Sequence, residues 1–265
     1  LVKLKRAEGF TNDKEFWFAR LVFNNATGMK KYKSLFENND VSFQNILLLN
    51  RPCRYKLYEA NLPPMLRCFH IRDICGCSWV STTDYELIED DAKVSHCDYE
   101  ITIDWRNVNP IKKDSNAPLR IAAFDIEVNS IDGEFPQARR PGDCVIQIGI
   151  TYTYLGQSEP YRQFIVCLKE TSPINDINLI SCDTEQELMK EFLNEIIEND
   201  CDIMTGYNTF FFDEKYMYDR CKNILFIDKE MSYMSKLKDY ECKFLEKKLA
   251  SSALGENLLR YWDTP

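Results

Sequence analysis

The chain has 265 residues, of which 45% are hydrophobic and 13% aromatic, and its formal net charge at pH 7 is −9. This composition is typical of a globular protein with a sizeable core, and the length suits one large domain or two ordinary ones. No apolar run approaches the roughly 20 residues of a membrane span. No basic-then-apolar leader is visible, so we expect neither membrane insertion nor secretion. The negative charge excludes a surface that binds nucleic acid through bulk electrostatics, but it leaves a local site open.

Cysteine usage bears on the cellular compartment. Eleven cysteines are spread along the chain, which is unlike a compact disulfide framework. Cys75 and Cys77 form a close pair, but there is no second pair, and His70 and His96 are the only two histidines. Reduced thiols that act as small apolar side chains are therefore a better interpretation than a zinc site. They favour a reducing compartment, the nucleus or the cytosol.

The first part of the chain predicts a mixed α+β module. Three apolar stretches predict strands: 16–23, 45–50 and 99–105. The last stretch alternates apolar with polar residues, which is the period of a half-buried strand. The pair Pro63 and Pro64 precedes apolar residues at helical spacing and predicts the start of a helix. A polar segment with two prolines, 109–119, then predicts a domain boundary.

After this boundary the pattern changes to an α/β order. Three successive apolar runs predict strands: 119–128, 144–155 and 161–169. A helix follows, in which Thr184 and Glu187 make a capping-box pattern and apolar residues recur at i, i+3, i+4 spacing. A short strand that ends at Gly206 and a second helix near Asp213 complete the series. The predicted order is strand, strand, strand, helix, strand, helix.

The first strand of this series carries two acids, Asp125 and Glu127. Alternate residues of a strand share a face, so the two carboxylates repel each other and lose hydration if the strand is central. Exposure at the strand end, or pairing with Arg or Lys, would explain them without any function. The alternative is a bound divalent cation, Mg²⁺ or Mn²⁺, because these ions prefer hard oxygen ligands.

Asp213 is a second acidic signal. It stands where a helix opens after a strand and a turn, and the N-terminus of a helix favours negative charge. An ordinary helix cap would explain Asp213, and an ordinary turn would explain Asn208. Taken together with Asp125 and Glu127, however, the cap becomes the weaker interpretation. The chain between Glu127 and Asp213 is long enough to bring the three acids together.

Several segments resemble the family B DNA polymerases. The stretches FDIE, GDCVIQIG and DIMTGYNTFFFD are similar to the first and second exonuclease motifs of that family. FPQARRPGDCVIQIG and LYEANLPPMLRCFHIRDICGCSWV resemble its delta-type group, which includes enzymes of cells and of large DNA viruses. The resemblance covers most of the chain in order. It implies an α+β N-terminal domain over residues 1–118 and a partial α/β, ribonuclease-H-like 3′–5′ exonuclease domain over residues 119–265.

The resemblance also implies roles for individual residues. Asp125, Glu127 and Asp213 would be catalytic metal ligands for two Mg²⁺ or Mn²⁺ ions that act in phosphodiester hydrolysis. Asn208 would hydrogen-bond the frayed primer end, and Phe212 would pack on its sugar or base, a contact that accepts any base. The implied partners are DNA (the primer terminus and single-stranded template), the rest of a polymerase chain and a sliding clamp. The implied location is the nucleus or a viral replication site.

One motif of the family is absent. The third exonuclease motif supplies a tyrosine and, four positions on, a metal-binding aspartate, but none of the 14 tyrosines is followed by Asp at that place. The nucleotide-binding motifs of a polymerase domain are absent as well. We therefore expect the N-terminal, proofreading part of a DNA-directed DNA polymerase, with little or no nuclease activity by itself. Two alternatives stay open: a free-standing exonuclease of the same class, and a non-catalytic module that binds nucleic acid or protein through a degenerate nuclease fold.

Overall fold

A computed structural model describes residues 2–6, 12, 14–37, 47–48, 51–52, 57–251 and 255–264. The chain divides into two compact units, Leu1–Thr83 with Asp104–Lys112 and Asp84–Ile103 with Lys113–Pro265. The domain limits that the sequence predicts at residue 118 stay a prediction. Among the residues described we find no helix with the length and apolarity that crossing a bilayer requires.

The strands in the first part of the chain are mostly short, and those in the second part are mostly longer. The strands are β1 Val2–Arg6, β2 Glu15–Ala19, β3 Leu47–Leu48, β4 Arg51–Pro52, β5 Trp79–Ser81, β6 Glu86–Leu87, β7 Ile101–Thr102, β8 Asn109–Ile111, β9 Arg120–Val128, β10 Val145–Tyr154, β11 Arg162–Leu168, β12 Asn178–Cys182, β13 Ile203–Thr205, β14 Lys243–Ser251 and β15 Gly255–Asp263. The α-helices are α1 Ala26–Glu37, α2 Pro64–Arg72, α3 Glu185–Asn199, α4 Asp213–Arg220 and α5 Asp228–Met231. A 3₁₀ turn covers Trp105–Asn107 and a π-helical turn covers Cys221–Leu225.

The first unit contains α1, α2 and three antiparallel strand pairs, β1–β2, β3–β4 and β5–β8. The helix predicted after the proline pair is confirmed, since α2 begins at Pro64. The strand predicted over 16–23 is too long, because β2 ends at Ala19 and the apolar residues Leu21 and Val22 after it are exposed. Of the strand predicted at 45–50, Leu47–Leu48 is a strand and the other four residues lie outside the described ones.

The strand predicted over 99–105 is largely wrong. Only Ile101–Thr102 is extended and paired, and Tyr99 is 80% exposed. Asp104 accounts for the early end of the strand, because its side chain accepts a hydrogen bond from the backbone N–H of Arg106 at 2.8 Å. Such a local bond caps a turn and competes with strand pairing, so the 3₁₀ turn begins directly afterwards.

The second unit is built on a five-stranded sheet in the order β12-β11-β10-β9-β13. The pairs β9–β10 and β10–β11 are antiparallel, and β9–β13 and β11–β12 are parallel. The three strands predicted in succession, the helix α3 and the short strand β13 are all confirmed. The prediction missed β12 at the sheet edge, because a mostly exposed edge strand of five residues has no apolar period to detect.

One face of this sheet is packed and the other is open. Along β9, Ala122, Phe124 and Ile126 point to the packed face, where the Phe124 ring lies 5.7 Å from the ring of Phe192 in α3. Each such buried side chain stabilises the fold by about 1.5–3 kcal/mol. The alternate residues of β9, among them Asp125 and Glu127, therefore point to the open face. The unit is a mixed α/β fold.

Helix α3 begins with the predicted capping box, in which Thr184 and Glu187 bond each other's backbone amides. Its buried face also includes an acid that the pattern did not predict, Glu195. Two hydrogen bonds from Arg162, at 2.7 and 2.8 Å, satisfy this buried carboxylate. A bidentate pair of this geometry is what allows a charge on an otherwise apolar helix face.

Candidate functional site

Asp125 and Glu127 lie on the open face of β9, and both are exposed. They stand opposite Gly149 and Gln147 of β10. On the other side of β9, the pairing with β13 stops at Ala123. The backbone edge of β9 is therefore without a strand partner on this side from Phe124 onward, next to Asp125.

Asp213 fills this open edge. Its carboxylate Oδ1 accepts a hydrogen bond from the backbone N–H of Ile126 at 3.2 Å, and the residue is 2% exposed. The helix-cap interpretation is wrong, because Asp213 is already the first residue of α4 and the residue at the N-cap, Phe212, makes no side-chain cap bond. The side chain thus contacts the strand that carries the other two acids.

The electrostatics of Asp213 are unfavourable for an ionised carboxylate. Burial raises the pKa of Asp213; the Asp125 carboxylate, which lies within hydrogen-bonding reach, raises it further, while the bond from Ile126 acts in the opposite direction. No ion pair among the described residues includes Asp125, Glu127 or Asp213. The pairing with Arg or Lys that would have explained the two strand acids is therefore not found in this part of the chain.

Gly206 allows the loop after β13 to lie against β9. A Cβ atom at this position would stand 2.3 Å from the carbonyl oxygen of Phe124 and 2.4 Å from the methyl carbon of Thr209. Only glycine permits so close an approach of two backbones. The glycine at the end of the predicted strand therefore sets the distance between the two acidic segments.

Asn208 and Phe212 lie on the loop from β13 to α4. Asn208 is exposed with φ of 63°, and its carbonyl accepts hydrogen bonds from the N–H groups of Phe211 and Phe212. The Phe212 ring is half-buried and lies 5.4 Å from Phe135 and 5.3 Å from Tyr216. The structure thus places Phe212, the neighbour of Asp213 in the chain, inside a small aromatic cluster, and Asn208 at the exposed turn that precedes it.

A groove of about 480 Å³ opens at Asp125 on the unpacked face of the sheet. Its lining includes Thr151, Gln163 and Tyr207, and Tyr207 is 92% exposed. The sequence pattern did not single out these side chains, nor Phe135. Tyr207 stands between the glycine that ends the predicted strand and Asn208, and this position could have indicated it from the sequence.

Arg220, at the end of α4, holds the loop between β9 and β10 and was also missed. It is 1% exposed and donates to both carboxylate oxygens of Glu185 at 2.8 Å. It also donates to three carbonyl oxygens of this loop, those of Ala138, Arg140 and Pro141. Arg220 stands seven residues after Asp213, on the same face of the helix, and this spacing could have indicated it from the sequence.

Asp125 and Asp213 together offer a divalent cation suitable ligands. Two adjacent carboxylates without a basic partner are the hard oxygen donors that Mg²⁺ and Mn²⁺ prefer, so the Asp125 and Asp213 pair fits. Glu127 takes no part in the contact between these two. Across the described ranges, no three His, Cys, Asp or Glu side chains converge into a closed metal-binding cluster.

Comparison with known proteins identifies the family of the chain. The family model "DNA polymerase family B, exonuclease domain" matches residues 55–255, which is most of the chain. The chain therefore belongs to the family B DNA polymerases, in the region of their exonuclease domain, as the motifs indicated.

Relatives are found in viruses and in cells. The chain is 38% identical over 230 residues to a DNA polymerase of Acanthamoeba polyphaga mimivirus, a match over 86% of this chain and 13% of that protein. It is 27% identical to a DNA polymerase of Paramecium bursaria Chlorella virus NY2A, over 99% of this chain and 28% of that protein. It is 29% identical to the DNA polymerase delta catalytic subunit of Dictyostelium discoideum, over 96% of this chain and 22% of that protein. The chain thus spans less than a third of each of these three relatives.

Proposed function

We propose that this chain supplies the N-terminal and 3′–5′ exonuclease parts of a DNA-directed DNA polymerase, and that the exonuclease part removes mispaired primer ends. The observation that carries the proposal is the buried Asp213 carboxyl beside Asp125. This pair lies within the matched exonuclease domain and has no basic partner among the residues that the structure describes. In this proposal residues 119–265 form a ribonuclease-H-like domain and residues 1–118 form a separate N-terminal domain.

The proposed catalytic groups are Asp125, Glu127 and Asp213, and they would hold Mg²⁺ or Mn²⁺. When bound, such ions activate the attacking water and stabilise the leaving 3′-oxygen. The chain's own contribution is to place the oxygen donors. The Ile126 amide orients one oxygen of Asp213, and the strand period directs Asp125 and Glu127 to the same face.

Asn208 and Phe212 are the proposed contacts to the frayed primer end. The exposed Asn208 side chain is available to hydrogen-bond a nucleotide, and the Phe212 ring presents an apolar surface beside Asp213. Stacking of a base on an aromatic ring contributes about 1–3 kcal/mol and does not depend on the base. Such a contact suits a site that must accept any mispaired end.

The names of the relatives support two proposed partners: DNA, as primer terminus and single-stranded template, and the remainder of a polymerase chain. A sliding clamp is a third proposed partner, which rests on the motif resemblance alone. The proposed location is the nucleus or a viral replication site.

A second candidate is a non-catalytic module that binds nucleic acid or protein through a degenerate nuclease fold. One observation favours it: the absence of a three-residue metal cluster within the structure as described. It predicts that the chain has no affinity for Mg²⁺ or Mn²⁺ even at millimolar concentration.

Titration with Mn²⁺, followed by electron paramagnetic resonance, separates the two candidates. We expect the chain to bind Mn²⁺ and the Asp125→Asn and Asp213→Asn variants to lose affinity by at least ~10-fold, since removal of even an outer-shell partner costs about that much. Glu198→Gln, at an exposed acid of α3, is the matched control and should bind as the parent does. Absence of Mn²⁺ binding by the parent would support the non-catalytic module.

A nuclease assay on single-stranded DNA complements the titration. Without a Tyr-x-x-x-Asp motif we expect degradation by this chain to be slow or absent. Rapid degradation that Asp125→Ala abolishes would contradict this expectation, because it would require a fourth ligand and a water-positioning group from other residues of the chain.

A further inference from the structure

Strands β14 and β15 pair antiparallel and form a two-stranded ribbon, and the outer edge of β15 contacts the segment that contains Asp213. The backbone N–H of Arg260 donates to the carbonyl oxygen of Phe210 at 3.2 Å, and the backbone N–H of Trp262 donates to Oε2 of Glu214 at 2.9 Å. Amides two residues apart on a strand point to the same edge. These two bonds therefore hold the segment 210–214 at both ends, with Asp213 between them.

The contact between Trp262 and Glu214 is built on a packed base. The rings of Tyr218 and Phe244 stack at 4.1 Å, and the Trp262 indole meets both rings edge-on, at 5.3 and 5.5 Å. The ribbon β14–β15 is thereby fixed against α4. The backbone N–H of Trp262 belongs to this packed strand and cannot move with the Glu214 side chain. The position of Trp262 therefore determines the position of the Glu214 carboxylate.

Three bonds together define the first turn of α4. The Asp213 carboxylate accepts from Ile126, the backbone N–H of Glu214 donates to the carbonyl of Thr209, and the Glu214 carboxylate accepts from Trp262. Only the last of these connects the turn to the β14–β15 ribbon through a side chain. Because Glu214 directly follows Asp213 in this turn, loss of the bond to Trp262 removes a restraint on the direction of the Asp213 side chain.

We propose that Glu214 is a positioning residue, which links the β14–β15 ribbon to the first turn of α4 and so fixes the direction of the Asp213 carboxyl. The metal affinity of the site then depends on whether the ribbon is docked. This consequence rests on the proposed metal role of Asp213, whereas the positioning itself does not require a metal.

The exchange rate of the Ile126 amide hydrogen reports on the position of Asp213 without any metal, because Asp213 is the acceptor of that amide. In the metal-free full chain, followed by nuclear magnetic resonance, we expect Glu214→Ala to accelerate exchange at Ile126 about tenfold. Exchange at Ile150, on the central strand β10, should not change. Glu214→Gln keeps an acceptor oxygen for Trp262 and should restore slow exchange at Ile126.

Two further variants separate the hydrogen bond from charge and from general stability. Glu214→Asp keeps the charge but withdraws the carboxylate by one methylene. It should therefore accelerate exchange at Ile126 as Glu214→Ala does. If the alanine variant does not fold, the aspartate variant decides whether the hydrogen bond positions Asp213. Glu246→Ala removes an acid of the same ribbon that pairs with Arg260 and should leave Ile126 unchanged.

Mn²⁺ affinity provides the second readout. We expect Glu214→Ala and Glu214→Asp to weaken Mn²⁺ binding about 5–10-fold, in the range of other outer-shell groups, and Glu214→Gln to stay within about twofold of the parent. Unchanged exchange at Ile126 in both Glu214→Ala and Glu214→Asp would overturn the positioning role, and the loss of Mn²⁺ binding in Asp125→Asn would still support the proposed function. Faster exchange at Ile126 in Glu214→Ala and Glu214→Asp, together with no Mn²⁺ binding by the parent chain, would support the positioning role and overturn the proposed function.

Discussion

The carboxylate of Asp213 accepts a hydrogen bond from the backbone amide of Ile126, 87 residues earlier in the chain. The bond forms where β13 ends and β9 continues, so a side chain takes the place of a missing strand partner. Because Ile126 lies between Asp125 and Glu127, the same bond draws the acid of α4 to the strand that carries the other two. A buried backbone amide without a partner would be costly, which gives the contact a structural as well as a functional role.

Asp213→Asn should stabilise the chain when no metal is present. Burial and the charge of Asp125 raise the pKa of Asp213, so the folded state disfavours the ionised form, and stability is lost as pH rises from the ordinary aspartate value through the raised pKa. Asparagine keeps an oxygen for the Ile126 amide and removes the charge. We expect a higher melting temperature than the parent at pH 8 in EDTA, and little difference near pH 3.5.

The control for this comparison is Glu198→Gln, which also removes one negative charge but at an exposed position. It should leave the melting temperature unchanged at both pH values. If Asp213→Asn melts at a lower temperature than the parent at pH 8, the carboxylate must be compensated by groups other than those seen around it.

Gly206→Ala should destabilise the chain by about 1–3 kcal/mol, the usual range for overpacking. The added methyl group would meet the carbonyl oxygen of Phe124, which is backbone and cannot move independently of β9. The matched control is Gly149→Ala, on the neighbouring strand, where a Cβ has no atom within 4 Å. Urea denaturation measures both variants; an equal and small effect of the two would show that the loop can retreat from β9.

Glu214→Gln should alter the pH dependence of stability. Burial raises the pKa of Glu214 to about 7, against the opposing hydrogen bond from Trp262. An acid whose pKa is raised in the folded state stabilises the fold least when it is ionised. The parent should therefore lose stability as the pH rises from about 4.5 towards 7. In EDTA, the variant should melt above the parent at pH 8 and close to it at pH 4.5. Parallel curves for the two proteins would contradict the raised pKa.

Arg220→Met should cost about 3–5 kcal/mol, because it leaves the carboxylate of Glu185 buried without its cation. It also removes the donors to three carbonyl groups of the loop between β9 and β10. Arg260→Met, at the more exposed pair with Glu246, is the control and should cost well under about 1 kcal/mol. Adding Glu185→Met to Arg220→Met should recover part of the loss, and denaturant titration of the three variants tests this.

The sequence predicted the fold correctly where a single period of apolar residues extends over a long segment. In α3 the capping box and the apolar period agree with the structure, because both signals are local to the helix. The prediction failed at 99–105, where alternation indicated a strand but the side chain of Asp104 forms a turn instead. It also missed β12, whose pairing depends on β11, a partner supplied by tertiary contact.

The amino-acid sequence alone determined the family, the strand that carries Asp125 and Glu127, and the helix that opens at Asp213, since motifs and periodicity are properties of consecutive residues. Tertiary structure decided which of these groups meet. It brought Asp213 to Ile126 and Asp125, left Glu127 outside that contact, and placed Glu214 against Trp262. Such contacts depend on which edge of β9 is left open beyond Ala123 and on how closely two backbones approach at Gly206, and neither is encoded in the spacing of residues along the chain.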